Sequence, residues 1–325
     1  MKLVRTICRD LLPESGCVLT IGNFDGVHLG HQGIVSGLVA KARAMNLPAV
    51  LITFVPSPEA YFLGKKSAPV LSSITSRYFA LHDAGIDMLV ALPFNRSLAT
   101  TPALDFIKRH IVEGLHAKHL LVGDDFRFGM DREGSYQMLC DQGPHFGFTV
   151  ERVDTISNSG ERISSTRIRD ALAKGDLAEA ARLTGRNYSM TGRVAHGDKR
   201  GRQWGFPTLN LPLRKKPALS GVFSVVVHFD DASCVNGVAN LGNRPTVDGL
   251  KTLLEVHLFD FESEIYGSRI CVEFVNKIRD EKKFDSFDEL KRQIRADCEA
   301  ARASFKQGCP DRGQGTNPII DVEHS

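Results

Sequence analysis

The chain has few of the features that would assign it to several large classes. Its seven cysteines, Cys8, Cys17, Cys140, Cys234, Cys271, Cys298 and Cys309, are scattered with no CxxC pair. That spacing argues against a structural zinc site and a disulfide framework and reads as reduced thiols, mostly packing residues. No run of about 18 apolar residues occurs. The opening stretch MKLVRTICRDLLPESG is broken by Arg5, Arg9, Asp10 and Glu14, so it lacks the uninterrupted core of a secretory signal. A cytoplasmic chain with no membrane partner is the expectation. The formal charge is +3 and the isoelectric point is near 8.4. Such a balance lacks the dense basic patches of a nucleic-acid binder yet remains compatible with small anionic ligands. No internal repeat, low-complexity tract or obligatory protein partner is evident.

What is present is enough apolar material for packed cores, 42% of 325 residues, a length that favours two domains over one. Apolar runs, CVLTI (17–21), AVLITF (49–54), MLVAL (88–92) and LLV (120–122), alternate with stretches of helical spacing. That alternation is a parallel α/β pattern. The spacing of Ile34, Leu38 and Ala42 predicts a helix from His31 to Met45, and Thr101 with Pro102 predicts an N-cap and first turn for DFIKRHIVEGL. From about Tyr188 the texture changes to short β-rich runs, GVFSVVVHF (221–229), LLEVHLF (253–259) and RICVEFV (269–275), which read as a small barrel or sandwich. A helix over 287–305 closes it, opened by the capping-box pair Ser286 and Glu289. The expected organisation is a Rossmann-like parallel α/β domain over 1–185, a β-barrel domain with a C-terminal helix over 186–305, and a loose tail over 306–325.

The string GNFDGVHLGH (22–31) sets His28 and His31 on the turn between the first apolar run and the helix after it. In an open parallel sheet ligands bind at the carboxyl ends of strands, where the next helix points its free N–H groups at the crevice. Gly22, Gly26 and Gly30 let backbone approach a phosphate, and the two imidazoles can donate to oxygens on which charge grows as pyrophosphate leaves. A surface turn with incidental histidines and a metal pair are the other readings of the tetrapeptide alone. A second string, GERISSTRIRDAL (160–172), groups Ser164, Ser165 and Thr166 at a helix start that carries Arg167 and Arg169. Such a group can cap the helix and clamp outer phosphates, or simply cap it. A third, VGDDFRFGMDREG (122–134), offers Phe126 and Phe128 as faces for a flat ring, Arg127 as a cation and Asp125 as a hydrogen-bonding group. Its plain alternative is a loop anchored by two buried phenylalanines.

HLGH and ISSTRIR together resemble the nucleotidyltransferase superfamily, in which an HxGH turn and an ISSTxxR helix start hold ATP from opposite sides of a crevice. Class I aminoacyl-tRNA synthetases share the HxGH turn but use a KMSKS loop, which this chain lacks. GDDFRFG is similar to the G(D/E)DFRFG loop of the adenylyltransferase half of bacterial bifunctional riboflavin kinase/FMN adenylyltransferase. That resemblance implies an ATP site at Gly22, Asn23, Phe24, Gly30, Ser164, Ser165, Thr166 and Arg169, catalytic roles for His28 and His31, and a flavin site at Asp125, Phe126 and Phe128. Many relatives carry a proline-histidine-proline string after the second strand. Here TFVPSPEAYF (53–62) has Ser57 at the histidine's place, so Ser57 receives no catalytic role.

In the second module, GRVAHGDKRGRQWGFPTLNLPL (192–213) is glycine-rich and basic and ends in Pro207, Thr208, Leu209 and Asn210. Taken alone it is a solvated loop or a nucleotide loop on a barrel, with Gly197, Gly201 and Gly205 freeing backbone N–H groups, Lys199 and Arg202 adding charge, and Thr208 and Asn210 offering hard oxygens. It resembles the riboflavin kinase signature GxxxGFPTAN, which implies binding of ATP and Mg²⁺ by this loop, with Thr208 and Asn210 at the metal. Leu209 stands where alanine is usual, which implies altered packing with retained activity. LLEVHLFDF (253–261) alternates, placing Glu255 and His257 on one side of a strand. Glu255 matches the family's catalytic glutamate. The resemblance covers nearly the whole chain to about residue 305 and implies conversion of riboflavin to FMN and of FMN to FAD, each with ATP and Mg²⁺. Another adenylyltransferase with a different acceptor, and a non-catalytic flavin-binding relative, are the rival readings.

Overall fold

Short apolar runs in the first half of the chain become the strands β1 (Lys2–Val4), β2 (Cys17–Ile21), β3 (Ala49–Val55), β4 (Met88–Pro93), β5 (Ala117–Gly123) and β8 (Thr149–Val153). Two small antiparallel pairs accompany them, β6 (Arg127–Phe128) with β7 (Gly134–Ser135) and β9 (Ser157–Asn158) with β10 (Glu161–Arg162). This computed structural model describes residues 1–305 except 9, 10, 13, 124, 154–156, 159, 160, 197–205, 214, 247 and 248, and leaves the side chains of 157, 158, 161, 243–246 and 249–251 undescribed. Packing divides the chain into two units, Met1–Ala68 with Arg77–Ser164, and Pro69–Ser76 with the chain from Ser165 onward.

In the first unit the six strands are parallel throughout, in the order β1-β4-β3-β2-β5-β8. All five residues of β2 are buried, as a strand covered on both faces requires. The order reverses at β2, with β3 and β4 on one side and β5 and β8 on the other. The unit's helices are α1 (Leu29–Ala44), α2 (Pro58–Leu63), most of α3 (Ile74–Asp83), α4 (Arg96–Ala99), α5 (Ala103–Phe106) and α6 (Tyr136–Phe146). One hydrophobic cluster runs from Leu19, Ile21 and Ile52 through Phe106, Ile111 and Leu120 to Phe128 and Phe148.

Two local expectations are corrected here. The first helix begins at Leu29, ahead of His31, because His28 caps it, and its buried stripe is Val35, Leu38 and Ala42, with Ile34 only half-buried. Thr101 is not the cap of α5, the helix of DFIKRHIVEGL, whose N-cap position is Pro102. Its hydroxyl donates to the Ser97 carbonyl at 2.8 Å, closing α4, and the Ala103 N–H is satisfied instead by Glu133 Oε1 at 2.7 Å. After Phe106 the helix widens into a π turn over Ile107–Val112, where the Glu113 N–H reaches back five residues to Lys108 O at 2.8 Å.

The second unit begins with two short amphipathic helices, α7 (Ser165–Lys174) and α8 (Leu177–Thr184). Six antiparallel strands follow, β11 (Ser189–Arg193), β12 (Leu209–Leu213), β13 (Gly221–His228), β14 (Cys234–Thr246), β15 (Gly249–Leu258) and β16 (Arg269–Arg279), in the order β11-β16-β13-β14-β15-β12. The Ala195 N–H bonds Asn210 O at 2.8 Å and brings the two ends of this order together, so the sheet nearly closes into a barrel. Phe223 and Phe274 fill its interior edge to face, with centroids 5.3 Å apart. Helix α9 (Phe287–Ser304) packs Cys298 and Ala301 against Val222, Val238 and Phe259. Its start is the expected capping-box sequence: Ser286 Oγ accepts from the Glu289 N–H at 3.2 Å, a bond typically worth about 1 kcal/mol, while Glu289 Oε2 reaches back to the Asp285 N–H at 3.4 Å, one residue before the cap. The buried Asp297 takes both arms of Arg279, at 2.9 and 2.7 Å.

Segment Pro69–Ser76 joins this unit through Val70, whose N–H bonds Lys216 O at 3.2 Å, and through Pro69, whose carbonyl accepts from Arg169 Nε at 2.7 Å. Packing therefore groups α7 and α8 with the barrel, whereas the change of sequence texture lies near 185. Cys17 and Cys298 are packing thiols, their pKa pushed by burial up to about 12 and about 11, but Cys8 and Cys234 are exposed. Among the described residues no helix is long and apolar enough to cross a membrane.

Candidate functional sites

The first site is built where β2 leaves the sheet, at the reversal of strand order. The turn from Gly22 to His28 holds Phe24, Gly26 and Val27 at φ of 47°, 84° and 42°. Two non-glycine residues in that region mark stored backbone strain of the kind found at ligand sites. His28 Nδ1 accepts from the His31 N–H at 3.2 Å, which assigns the His28 ring proton to Nε2. The two imidazoles stack with centroids 3.6 Å apart, and Phe24 lies 4.9 Å from the His31 ring. Gly30 suits this stack, since a Cβ there would crowd His28 Nδ1 at 3.1 Å. That same Cβ position is 3.6 Å from the Ile163 carbonyl, so the residue preceding Ser164 is brought to the HLGH turn.

His31 Nδ1 is buried without a hydrogen-bond partner among the described residues. Burial, then His28, then Arg77 hold this imidazole well below the ordinary histidine value near 6.5, so it is neutral. Arg77 was not singled out by the sequence; its Nη1 donates to Asn23 O at 2.8 Å.

Other expected residues reach the same edge of the sheet through β5, whose carboxyl end leads into Asp125, Phe126 and Phe128. Asp125 pairs with Arg162 at 2.6 Å, and Arg127 donates to the Phe126 carbonyl at 2.9 Å. Phe128 is only 7% exposed and belongs to the core, so its ring supports the loop and presents no open face. Phe126 is half-buried and stacks on it at 5.5 Å. A group that the sequence reading missed stands at the ends of β3 and β4. Tyr61, Phe62 and Phe94 pack edge to face at 5.2–5.9 Å, with Phe54 against Phe94, and Phe62 is 67% exposed. The signal was the aromatic pair in EAYF. Ser57, which has no catalytic assignment, caps α2 through the Ala60 N–H at 3.2 Å.

Ser165, Thr166 and Arg169 lie on α7 in the second unit. Arg169 spends Nε on Pro69, while Arg167 pairs with Glu179 at 2.9 Å.

The second site lies on the barrel. Along β15 Leu254, Val256 and Leu258 are buried, while Glu255 and His257 are half-buried on the other side, as the alternation predicts. Register sets Glu255 directly between Asn210 of β12 and Asn240 of β14. Directly paired residues point to one face, so three oxygen-bearing side chains stand in a row. Asn240 escaped the sequence reading because register is non-local. His257 Nδ1 lies 2.9 Å from the Pro207 carbonyl, to which it donates, and so pins the segment leading to Thr208. Leu209 is buried opposite Val256. Gly197, Lys199, Gly201 and Gly205 lie outside the described residues.

Comparison with known proteins matches residues 12–167 to the FAD synthetase family model and residues 184–305 to the riboflavin kinase model. A Haemophilus influenzae protein named bifunctional riboflavin kinase/FMN adenylyltransferase is 46% identical over 94% of this chain and 99% of its own length. An Escherichia coli protein of the same name is 43% identical over 94% of this chain and 98% of its own. Among solved structures, a Streptococcus pneumoniae protein described as a macrolide-efflux protein superposes with a TM-score of 0.75 at 31% identity, covering 93% of this chain and 99% of that one. With both family models matched in order and relatives aligned almost end to end, this chain belongs to the bifunctional riboflavin kinase/FMN adenylyltransferase family.

Proposed function

We infer that one polypeptide carries two reactions in sequence. Residues from about 186 to 305 phosphorylate riboflavin with ATP to give FMN, and residues 1–185 transfer AMP from ATP to FMN to give FAD and pyrophosphate. The observation that carries the first assignment is the stacked His28–His31 turn at the carboxyl end of β2, where the strand order reverses. The cofactor-making reading also fits a cytoplasmic chain that binds riboflavin, FMN, FAD and ATP.

At the first site an FMN phosphate oxygen attacks the α-phosphorus of ATP, and the bond from that phosphorus to the oxygen joining it to the β-phosphate breaks, so that pyrophosphate leaves. The nucleophile is already ionised, so no base is needed. His28 Nε2–H and His31 serve as preorganised donors to charge developing on the leaving group, with Gly22, Asn23, Phe24 and Gly30 shaping the backbone and Ser164, Ser165, Thr166 and Arg169 as further phosphate contacts. Asp125 and Phe126 with the Tyr61–Phe62–Phe94 group offer the flavin ring its polar and apolar contacts, and Phe128 holds their loop.

At the second site the acceptor is a neutral primary hydroxyl. Its oxygen attacks the γ-phosphorus, ADP leaves, and Glu255 takes the proton. Asn210, which the strand register sets beside Glu255, and Thr208 two residues before it offer hard oxygens that would hold Mg²⁺. When bound, that ion would neutralise phosphate charge. Pro207 orients the segment through His257, and Gly197, Lys199, Gly201 and Gly205 are proposed to line the ATP phosphates. The proposed boundary between the activities remains near 185/186.

The test is incubation of the purified chain with riboflavin, ATP and Mg²⁺, with riboflavin, FMN and FAD separated over time. FMN should rise and then fall as FAD accumulates. Lasting FMN without FAD would remove the first assignment, and riboflavin left unconsumed would remove the second.

A further inference from the structure

Beside the HLGH turn stands a cation to which no role has been given. Arg77, on α3, directs Nη1 to the Asn23 carbonyl at 2.8 Å and to Thr53 Oγ1 at 3.3 Å. The Thr53 hydroxyl donates to that same carbonyl at 3.1 Å, so Asn23 O is held by two donors from two different elements. Asn23 opens the turn whose next residues carry the positive φ angles, and a strained turn keeps its shape only when its surroundings over-determine it. Arg77 Nε is buried with no hydrogen-bond partner among the described residues, an expense that packing alone does not explain.

We propose that Arg77 is a positioning residue of the adenylyl-transfer site: its guanidinium clamps the Asn23 carbonyl, so fixing the turn that presents His28 and His31, and brings a permanent positive charge to that turn. The proposal rests on the adenylyl-transfer reading above. The charged groups that act on His31 among the described residues are His28 on the turn and Arg77 on α3, and burial opposes the Arg77 cation while Asp25 favours it. Arginine keeps its charge at any working pH. The site thus divides its work: the arginine supplies charge that does not titrate, and the neutral His31 imidazole supplies directed hydrogen bonding. Taking the cation away should raise the His31 pKa, since a neighbouring positive charge disfavours imidazolium.

The experiment compares the parent chain with Arg77→Met and Arg77→Lys. It measures FMN adenylylation, riboflavin phosphorylation, and titration of the His31 imidazole by nitrogen-15 NMR, assigned with His31→Gln. Arg77→Met should lose on the order of 10²-fold in kcat for FAD formation, as a small misplacement at a reacting centre can cost. Its riboflavin phosphorylation should persist and its His31 titration should move up. Arg77→Lys keeps the charge but not the fork, so it should lose less rate and leave the titration in place. Parental FAD formation in Arg77→Met, or equal losses in both variants with His31 unmoved, would overturn the proposal. Should Arg77→Met fail to melt like the parent, Arg77→Lys decides, and parental FAD formation in that variant counts against the clamp. A parent chain that makes no FAD from FMN would overturn the adenylyl-transfer reading instead, while the Arg77–His31 coupling is still judged by the titration.

Discussion

The two sites meet the same nucleotide with different materials. In the first unit the parallel sheet contributes its edge: a strained turn, a helix start and two stacked rings, with His28 and His31 as the proposed donors. In the barrel an antiparallel face contributes side chains in register, with Glu255 between Asn210 and Asn240. The difference follows the acceptor. An ionised FMN phosphate asks for alignment and charge stabilisation, and a riboflavin hydroxyl asks also for a base. The proposed roles therefore make a carboxylate central to one site and dispensable at the other.

The largest break of that symmetry should come from Glu255→Gln, which keeps size and hydrogen bonding but removes the base. Riboflavin phosphorylation is expected to fall roughly 10²- to 10⁴-fold, with FAD formation from supplied FMN near the parent rate. Equal loss of both activities would point to misfolding or coupling. Replacing His28 and His31 together by alanine should reverse the pattern, slowing FAD formation by at least about 10²- to 10³-fold, the typical cost of one such donor, so that FMN accumulates from riboflavin. An unchanged rate of FAD formation would place the histidines elsewhere.

Smaller changes sharpen the contrast. Gly30→Ala puts a methyl 3.1 Å from His28 Nδ1 and should tilt the stacked ring, costing about tenfold in FAD formation and nothing in riboflavin phosphorylation. The smallest effect is on stability. His31 is neutral in the fold, and in the unfolded chain it gains a proton near pH 6.5, so the unfolded state binds more protons as pH falls. Burial lowers His110 and His119 in the same direction. Melting of the first unit should drop between pH 7 and pH 5, and His31→Gln should lessen the drop; an unchanged pH slope in that variant would contradict the buried neutral imidazole.

Local signals made much of this legible. A strand that turns into a helix within ten residues, the alternation along 253–259 and the Ser286 capping box are each decided by neighbours in sequence, and each stands where expected. What stayed hidden is decided by distant partners. Glu133 caps a helix thirty residues away, Arg77 reaches Asn23 across 54 residues, and Asn240 meets Glu255 through a register no single strand encodes. Phe128 had the composition of a ligand face, and only packing against Phe106 shows it committed to the core. Helices α7 and α8 carry no textural mark of the barrel with which they pack, and neither their apolar stripe nor their length says which core receives it.

The central claim is that two separable sites on one chain act in series, and mixing two disabled variants tests it most directly. Glu255→Gln and the His28/His31 double alanine variant are each given riboflavin, ATP and Mg²⁺, separately and then together in one vessel. Separately, the first should leave riboflavin unconsumed and the second should stop at FMN. Together they should make FAD, because FMN released by the double variant is adenylylated by the other. A mixture that still stops at FMN, although Glu255→Gln alone is folded, would contradict the assignment of the two reactions to independent sites.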